Sequence, residues 1–257
     1  MALVDAYDAV LLDLDGVLYR GDRVIPGAAE TVEALRVRGT RLAFVTNNAS
    51  RTPTQVADHL AAVGVRADPA EIETSALVAA SLLAARGVHR AFVVGQDGVV
   101  DALADAGVRV VTAAESPEAV VVGLDRGLTY ERLRDAVLCV GRGAALVGTN
   151  PDTTFPAEDG LWPGAGSILA AIVAATGAVP EIAGKPAPAI YRAALARCGG
   201  TRPLVVGDRL DTDVAGAAAL GWDSLLVLTG VTREGEAEGS DPAPTHVRAD
   251  VAGLLDA

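Results

Sequence analysis

The stretch VLLDLDGVLY, residues 10–19, is where the fold and the chemistry are first legible. Its apolar opening is short and closes on acids, so Val10 to Asp13 reads as a buried strand. Residues two apart on an extended chain project to the same side, so Asp13 and Asp15 can meet one ligand. Ligands of open parallel sheets bind beyond the carboxyl ends of the strands, where this pair stands. Neighbouring carboxylates repel unless one is protonated or a cation lies between them. Hard divalent cations take oxygen ligands, which makes Mg²⁺ the natural partner. Taken alone, a DxDG string is equally a solvated turn.

Short apolar runs alternate with helix-period segments along the whole chain, the pattern of an α/β fold with a largely parallel sheet. Pro26 to Arg38 reads as a helix stopped by Gly39, and Arg41 to Val45 as the second strand. Thr52 caps the next helix, with Pro53 at its first position. Later strands are expected at 91–94, 108–111, 119–122, 145–147, 204–206 and 225–228, and a loose stretch at Thr232 to Thr245.

Three further strand ends carry polar groups. FVTNN places the Thr46 hydroxyl and the Asn47 amide at the edge of the second strand, where both can donate to phosphate oxygens. AGKPAP holds Lys185, the only lysine of the chain, after a short strand at Ile182, and Pro186 keeps it out of a helix. VVGDRLDTD ends the Leu204 strand with Asp208, Asp211 and Asp213. Singly, Thr46 is also readable as a strand-end hydroxyl and the acids as a helix N-cap cluster. Together the four groups share one sheet edge.

The ordered set DLDGV, TNN, GKP and GDRLDTD resembles the four motifs of the haloacid dehalogenase superfamily of phosphohydrolases. With VVGLD at 121–125, TNPD at 149–152 and PGAGS at 163–167, the chain is similar over nearly its whole length to the NagD and p-nitrophenylphosphatase branch, subfamily IIA. The separation of 139 positions from Thr46 to Lys185 far exceeds the roughly thirty residues of a βαβ unit. The resemblance therefore implies a Rossmann-like core from 1–77 and 180–257 and an inserted α/β cap of the second type at 78–179 that closes over the sheet edge.

The resemblance also implies roles. Asp13 would be the nucleophile that forms an aspartyl-phosphate, and Asp15 the general acid and base, with its pKa raised toward neutrality. Asp13, the backbone carbonyl of Asp15 and Asp208 would hold Mg²⁺, and Asp213 or Asp211 would support its waters or Lys185. Thr46, Asn47 and Lys185 would bind the phosphoryl group. Asn48 and Arg51 would line the pocket, although Arg51 also fits an exposed helix-entry arginine. The loop TNPDTTFP would reach over the site with Phe155 toward the leaving group, unless Phe155 is a core aromatic. Small phosphomonoesters follow as substrates, among them sugar and glycerol phosphates, phosphoglycolate, nucleotides and p-nitrophenyl phosphate, with pairing of two copies through the cap.

The formal charge of −12 disfavours a nucleic acid partner, and 51% hydrophobic with 21% charged residues suits a globular chain. No apolar run is long enough to span a bilayer, and the N-terminus does not read as a signal peptide, so a cytoplasmic protein is expected. Cys139 and Cys198 have no metal or disulfide spacing and read as core fillers. His59, His89 and His246 are scattered and read as surface residues, and no GxSxG elbow occurs. The competing reading is a phosphoacceptor or phospho-ligand-binding signalling protein without turnover. A receiver domain pairs its acids after the first strand but carries its phosphoacceptor after the third, in about half this length.

Overall fold

The computed structural model describes residues 1–157 and 159–256; residue 158, inside the expected insert, and residue 257, the last of the expected core, lie outside the described residues. The chain forms two units, one of Met1–Thr46, Pro53–Glu73 and Lys185–Ala257, the other of Asn47–Thr52 and Thr74–Gly184. In chain order, β1 (Ala9–Asp13) is followed by a small hairpin of β2 (Tyr19–Arg20) and β3 (Arg23–Val24), then α1 (Ala28–Val37), β4 (Arg41–Thr46), α2 (Pro53–Ala62) and β5 (Ile72–Thr74). Next come α3 (Ser75–Ala85), β6 (Arg90–Val94), α4 (Asp97–Asp105), β7 (Arg109–Val110), β8 (Ala119–Val122), α5 (Tyr130–Gly141) and β9 (Ala145–Gly148). A second hairpin, β10 (Thr154–Ala157) and β11 (Gly160–Pro163), precedes α6 (Ala165–Thr176) and β12 (Glu181–Ile182). The last segment holds α7 (Pro188–Cys198), β13 (Pro203–Gly207), α8 (Ala215–Ala218), β14 (Asp223–Val227) and β15 (His246–Arg248).

The first unit is built on a sheet ordered β15-β14-β13-β1-β4-β5. The pairs from β15 through β4 are parallel. All five residues of β1 are buried, as expected of a strand covered on both faces. Leu12, Phe44 and Val206 from the sheet join Leu35 of α1 and Leu60 of α2 in one core. Register decides the function of this sheet: Asp13 stands opposite Val45 and Leu12 opposite Val206, so β1, β4 and β13 end at one level.

The second unit carries a parallel sheet ordered β12-β9-β8-β6-β7. Its core gathers Val94, Val120 and Leu146 with Cys139 of α5 and Ile172 of α6. The hairpin β10–β11 is antiparallel and sets Phe155 opposite Trp162. The expected insert limits, 78 and 179, fall inside the long segment of this unit.

Several local expectations change. The first helix begins at Ala28, because Gly27 adopts a left-handed φ of 79° before it. The strand expected at 108–111 narrows to Arg109–Val110, whose side chains are exposed. Past the loose stretch, His246–Arg248 pairs with β14 as an edge strand, and His246 Nε2 lies 2.9 Å from the Tyr7 hydroxyl, which donates to Asp223. Cys139 is a core residue, whereas Cys198 ends α7 half-buried. Among the described residues, no helix is long and apolar enough to cross a membrane.

Candidate active site

The aligned ends of β1 and β13 bring Asp13 and Asp208 together. Lys185, which follows β12 of the other sheet rather than a strand of this one, and Asp213, from the turn after β13, join them through the Lys185 ammonium. Asp13 is the last residue of β1, and Asp208 directly follows β13. Lys185 lies between β12 and α7, with its ammonium 2.8 Å from Asp13 Oδ1 and 2.7 Å from Asp213 Oδ1. Oxygens of Asp13, Asp208 and Asp213 all lie within 4.8 Å of one another, and all three residues are buried. Thr46 closes β4 and is buried as well. Asp15 sits just beyond β1, exposed, in a backbone bridge with Tyr19.

Local backbone explains how the acids after β13 divide. Leu210–Val214 is wound as a π-turn, with Val214 N donating to Arg209 O at 3.2 Å. Such wide turns reorient side chains relative to an α-helix. Asp213 thereby faces Lys185, while its second oxygen accepts from Arg209 N and Thr212 Oγ1. Asp211 faces outward and takes a two-pronged contact from Arg209 at 2.9 and 2.7 Å. It does not join the Lys185 cluster.

Charge dominates the electrostatics, because three buried carboxylates face one ammonium. Burial pushes the Asp13 carboxyl well above its ordinary range, opposed by Lys185 and reinforced by Asp213 and Asp208. Asp208 is pushed up to about 6 by burial and then by Asp213, against the Val231 N–H that donates to it. Burial alone would lower Lys185; the Asp13 and Asp213 carboxylates outweigh it and hold the ammonium above its usual range. A group of oxygens with a surplus of about two negative charges, deep in protein, is the donor chemistry of a hard divalent cation. Asp213 has both oxygens engaged, Oδ1 by Lys185 and Oδ2 by Arg209 N and Thr212 Oγ1. Asp13 meets Lys185 through Oδ1 and Asp208 meets Val231 N through Oδ2, so Asp13 and Asp208 are the acids better placed to hold such an ion.

Sequence reasoning missed the groups that shape Asp208. Gly16 has a φ of 80°, and a β-carbon there would stand 2.5 Å from Asp208 Oδ2. A β-carbon on Gly230 would overlap the same carboxylate, so two glycines make room for it. Val231 N donates to Asp208 Oδ2 at 2.6 Å, and Thr229 Oγ1 ties this turn to Gly16 O at 2.6 Å. The signal was present as LTGV after β14, but a glycine and a backbone amide carry no chemical label in sequence. Buried Tyr191 donates to Thr212 O at 3.0 Å and packs on Gly216, buttressing the π-turn from behind.

The remaining candidate residues lie in the second unit. Asn47 is half-buried there; Asn48 accepts from Ser50 N and Oγ at 3.0 and 2.6 Å and so forms the turn that follows. Arg51 is half-buried in the same loop. Phe155 meets Trp162 edge to face, with the Arg126 guanidinium 5.6 Å from its ring centre and 5.4 Å from that of Trp162. It is a half-exposed hairpin residue, outside the unit's core.

Sequence profiles give this arrangement a family. Haloacid dehalogenase-like hydrolases match residues 10–109, and a HAD-hydrolase-like profile matches 182–254. A D-glycerol 3-phosphate phosphatase of Mycobacterium tuberculosis is 42% identical over 98% of this chain and 72% of its own length. The chain belongs to the haloacid dehalogenase-like hydrolase family. A crystal structure of a glycerol phosphate phosphatase from that organism, in complex with magnesium, superposes on this HAD chain with a TM-score of 0.95 at 41% identity, covering 100% of this chain and 78% of that one. An acid sugar phosphatase of Staphylococcus aureus is 38% identical over 93% of each chain. NagD from E. coli K-12 superposes with a TM-score of 0.89 at 31% identity, over 95% of this chain and 97% of that one, in keeping with the NagD-like branch of the HAD family.

Proposed function

We propose that the protein is a Mg²⁺-dependent phosphatase that hydrolyses small phosphomonoesters through an aspartyl-phosphate on Asp13. Family membership gives the coarse class, a phosphoric monoester hydrolase. The observation that carries the finer reading is Lys185 bridging Asp13 and Asp213 within 2.8 Å, with Asp208 in the same buried cluster. The names of the relatives point to polyol and sugar phosphates as the substrates to try first.

In the first step a carboxylate oxygen of Asp13 attacks phosphorus, the ester P–O bond breaks, and Asp15 gives its proton to the departing oxygen. In the second, water attacks the same phosphorus, the bond to Asp13 breaks, and Asp15 takes the proton from water. Asp15 is the exposed member of the pair, the side on which leaving group and water must arrive. Lys185 places positive charge beside the attacking carboxylate, and Asp213 keeps it aimed there. Thr46 and its chain neighbour Asn47 donate to the phosphoryl oxygens, where charge spreads in the transition state. Asp13, Asp208 and the carbonyl of Asp15 would hold Mg²⁺, which when bound supplies positive charge against the transferring group.

Phosphate release from a panel of phosphorylated polyols, sugars and nucleotides, with Asp13→Asn as blank, tests this. Turnover of at least one ester, lost in the variant, is expected; a variant as active as the natural chain would remove Asp13 as nucleophile.

A further inference from the structure

Resting on that reading, we propose that Asn150, Ser75 and Asp152 are positioning residues that clamp Asn47, the candidate phosphate donor. The Asn47 carbonyl accepts from Ser75 Oγ at 2.8 Å and from Asn150 Nδ2 at 2.8 Å. The Asn47 side-chain amide donates to Asp152 Oδ2 at 3.2 Å. Asn150 Oδ1 in turn accepts from Asp152 N at 3.1 Å, so one short loop grips both the backbone and the side chain of Asn47. Ser75 and Asn150 are buried, where each such bond is selective in direction and costly to leave unmade.

The same loop holds a second point of the chain. Gly184 N donates to Thr149 O at 2.8 Å. A β-carbon at Gly184 would collide with both Thr149 O and Asn47 Oδ1. Asn47 and Gly184 belong to the second unit, yet their covalent neighbours, Thr46 and Lys185, belong to the first. Of the four peptide bonds at which the chain passes from one unit to the other, two, 46–47 and 184–185, adjoin Thr46 and Lys185, and Thr149–Asp152 fastens the second-unit end of both. The rest of the 47–52 loop is seated on α4, where Gly98 N reaches Ser50 O at 3.4 Å and a β-carbon on Gly98 would lie 2.6 Å from Ala49 O and Arg51 O. TNPD, the start of the loop TNPDTTFP expected to reach over the site with Phe155 toward the leaving group, thus has a task of its own: it fixes where the Asn47 amide points. A donor aimed at a phosphoryl oxygen accelerates transfer only if it is already in place.

A double-mutant cycle tests the clamp, using p-nitrophenyl phosphate with Asn150→Ala, Asn47→Ala and the double variant. Asn150→Ala should lower kcat/KM about ten-fold in the natural background, but less than about two-fold once the Asn47 amide is gone, because coupled residues are not additive. The pH profile of kcat should keep its shape, since neither Asn47 nor Asn150 titrates. Equal losses in both backgrounds, or an Asn150→Ala enzyme that melts normally with undiminished kcat/KM, would overturn the clamp. Should Asn150→Ala lose cooperative melting, Ser75→Ala removes the other donor to the same carbonyl and enters the same cycle. The natural chain and the Asp13→Asn blank separate the two claims: no turnover by the natural chain sinks the phosphatase reading, whereas turnover with additive losses sinks only the clamp.

Discussion

Replacing Lys185 by Met keeps most of the volume of the side chain and deletes its charge, leaving three buried carboxylates within 4.8 Å and no ammonium among them. Removing one partner of a buried ion pair costs about 3–5 kcal/mol, because the charge left behind is neither solvated nor paired. For a chain of this size each kcal/mol moves the melting midpoint by about 2–4 °C, so Lys185→Met should melt roughly 6–20 °C below the natural chain in EDTA. Asp213→Leu alone should also destabilise. The double variant should lose less than the sum, with a coupling of about 1–3 kcal/mol, because it removes the pair at 2.7 Å together. Calorimetry or circular dichroism of the four proteins in EDTA reads the cycle, and turnover of p-nitrophenyl phosphate reads function, which should vanish in Lys185→Met. A melting point within about 2 °C of the natural chain, or strictly additive losses, would refute the claim that Lys185 offsets part of the charge of this cluster.

Gly230→Ala forces a β-carbon onto the Asp208 carboxylate and should raise the Mg²⁺ concentration needed for half-maximal turnover at least about ten-fold, measured by metal titration. Chelation should abolish turnover and added Mg²⁺ restore it; full activity in excess EDTA would contradict the role given to Asp13 and Asp208. Asp8, which accepts from Thr201 and Arg202 and is held down at about 2 from an ordinary 3.8, lends stability that is complete above pH 4 and fades as pH falls toward 2. Asp8→Asn should therefore melt lower than the natural chain at pH 6, with the gap closing by pH 2, as thermal scans across pH would show. Phe155→Ala, which unseats the Trp162 and Arg126 stack, should reorder a substrate panel more than it slows p-nitrophenyl phosphate, and a uniform change would remove Phe155 from recognition.

The strands that place the chemistry were legible because they are buried on both faces. β1, β4 and β13 carry buried apolar runs, and the polar residue at or just past the end of each, Asp13, Thr46 and Asp208, stands out against them. The hairpin Thr154–Pro163 was not legible: its strands are four residues each, carry prolines, and the second is exposed throughout, so no alternation marks it. β15 is an edge strand of three residues directly after a Gly- and Pro-rich stretch, where local composition argues for loop and only pairing with β14 makes a strand. In the site, Asp13, Lys185 and Asp208 announce themselves by charge at a strand end. The division between Asp211 and Asp213 does not, because it depends on a π-turn that spacing alone cannot distinguish from an α-helical start. Gly230 and the Val231 amide act through absent bulk and backbone, which leave no chemical mark in a sequence.

Stopping turnover of p-nitrophenyl phosphate in acid within the first cycles, and mapping the digested protein by mass spectrometry, addresses the central claim most directly. The mass of a phosphoryl group should appear on the peptide containing Asp13 and be absent from the Asp13→Asn protein. Phosphoryl mass on another residue, or an Asp13→Asn protein that still turns over substrate at the natural rate, would contradict the account.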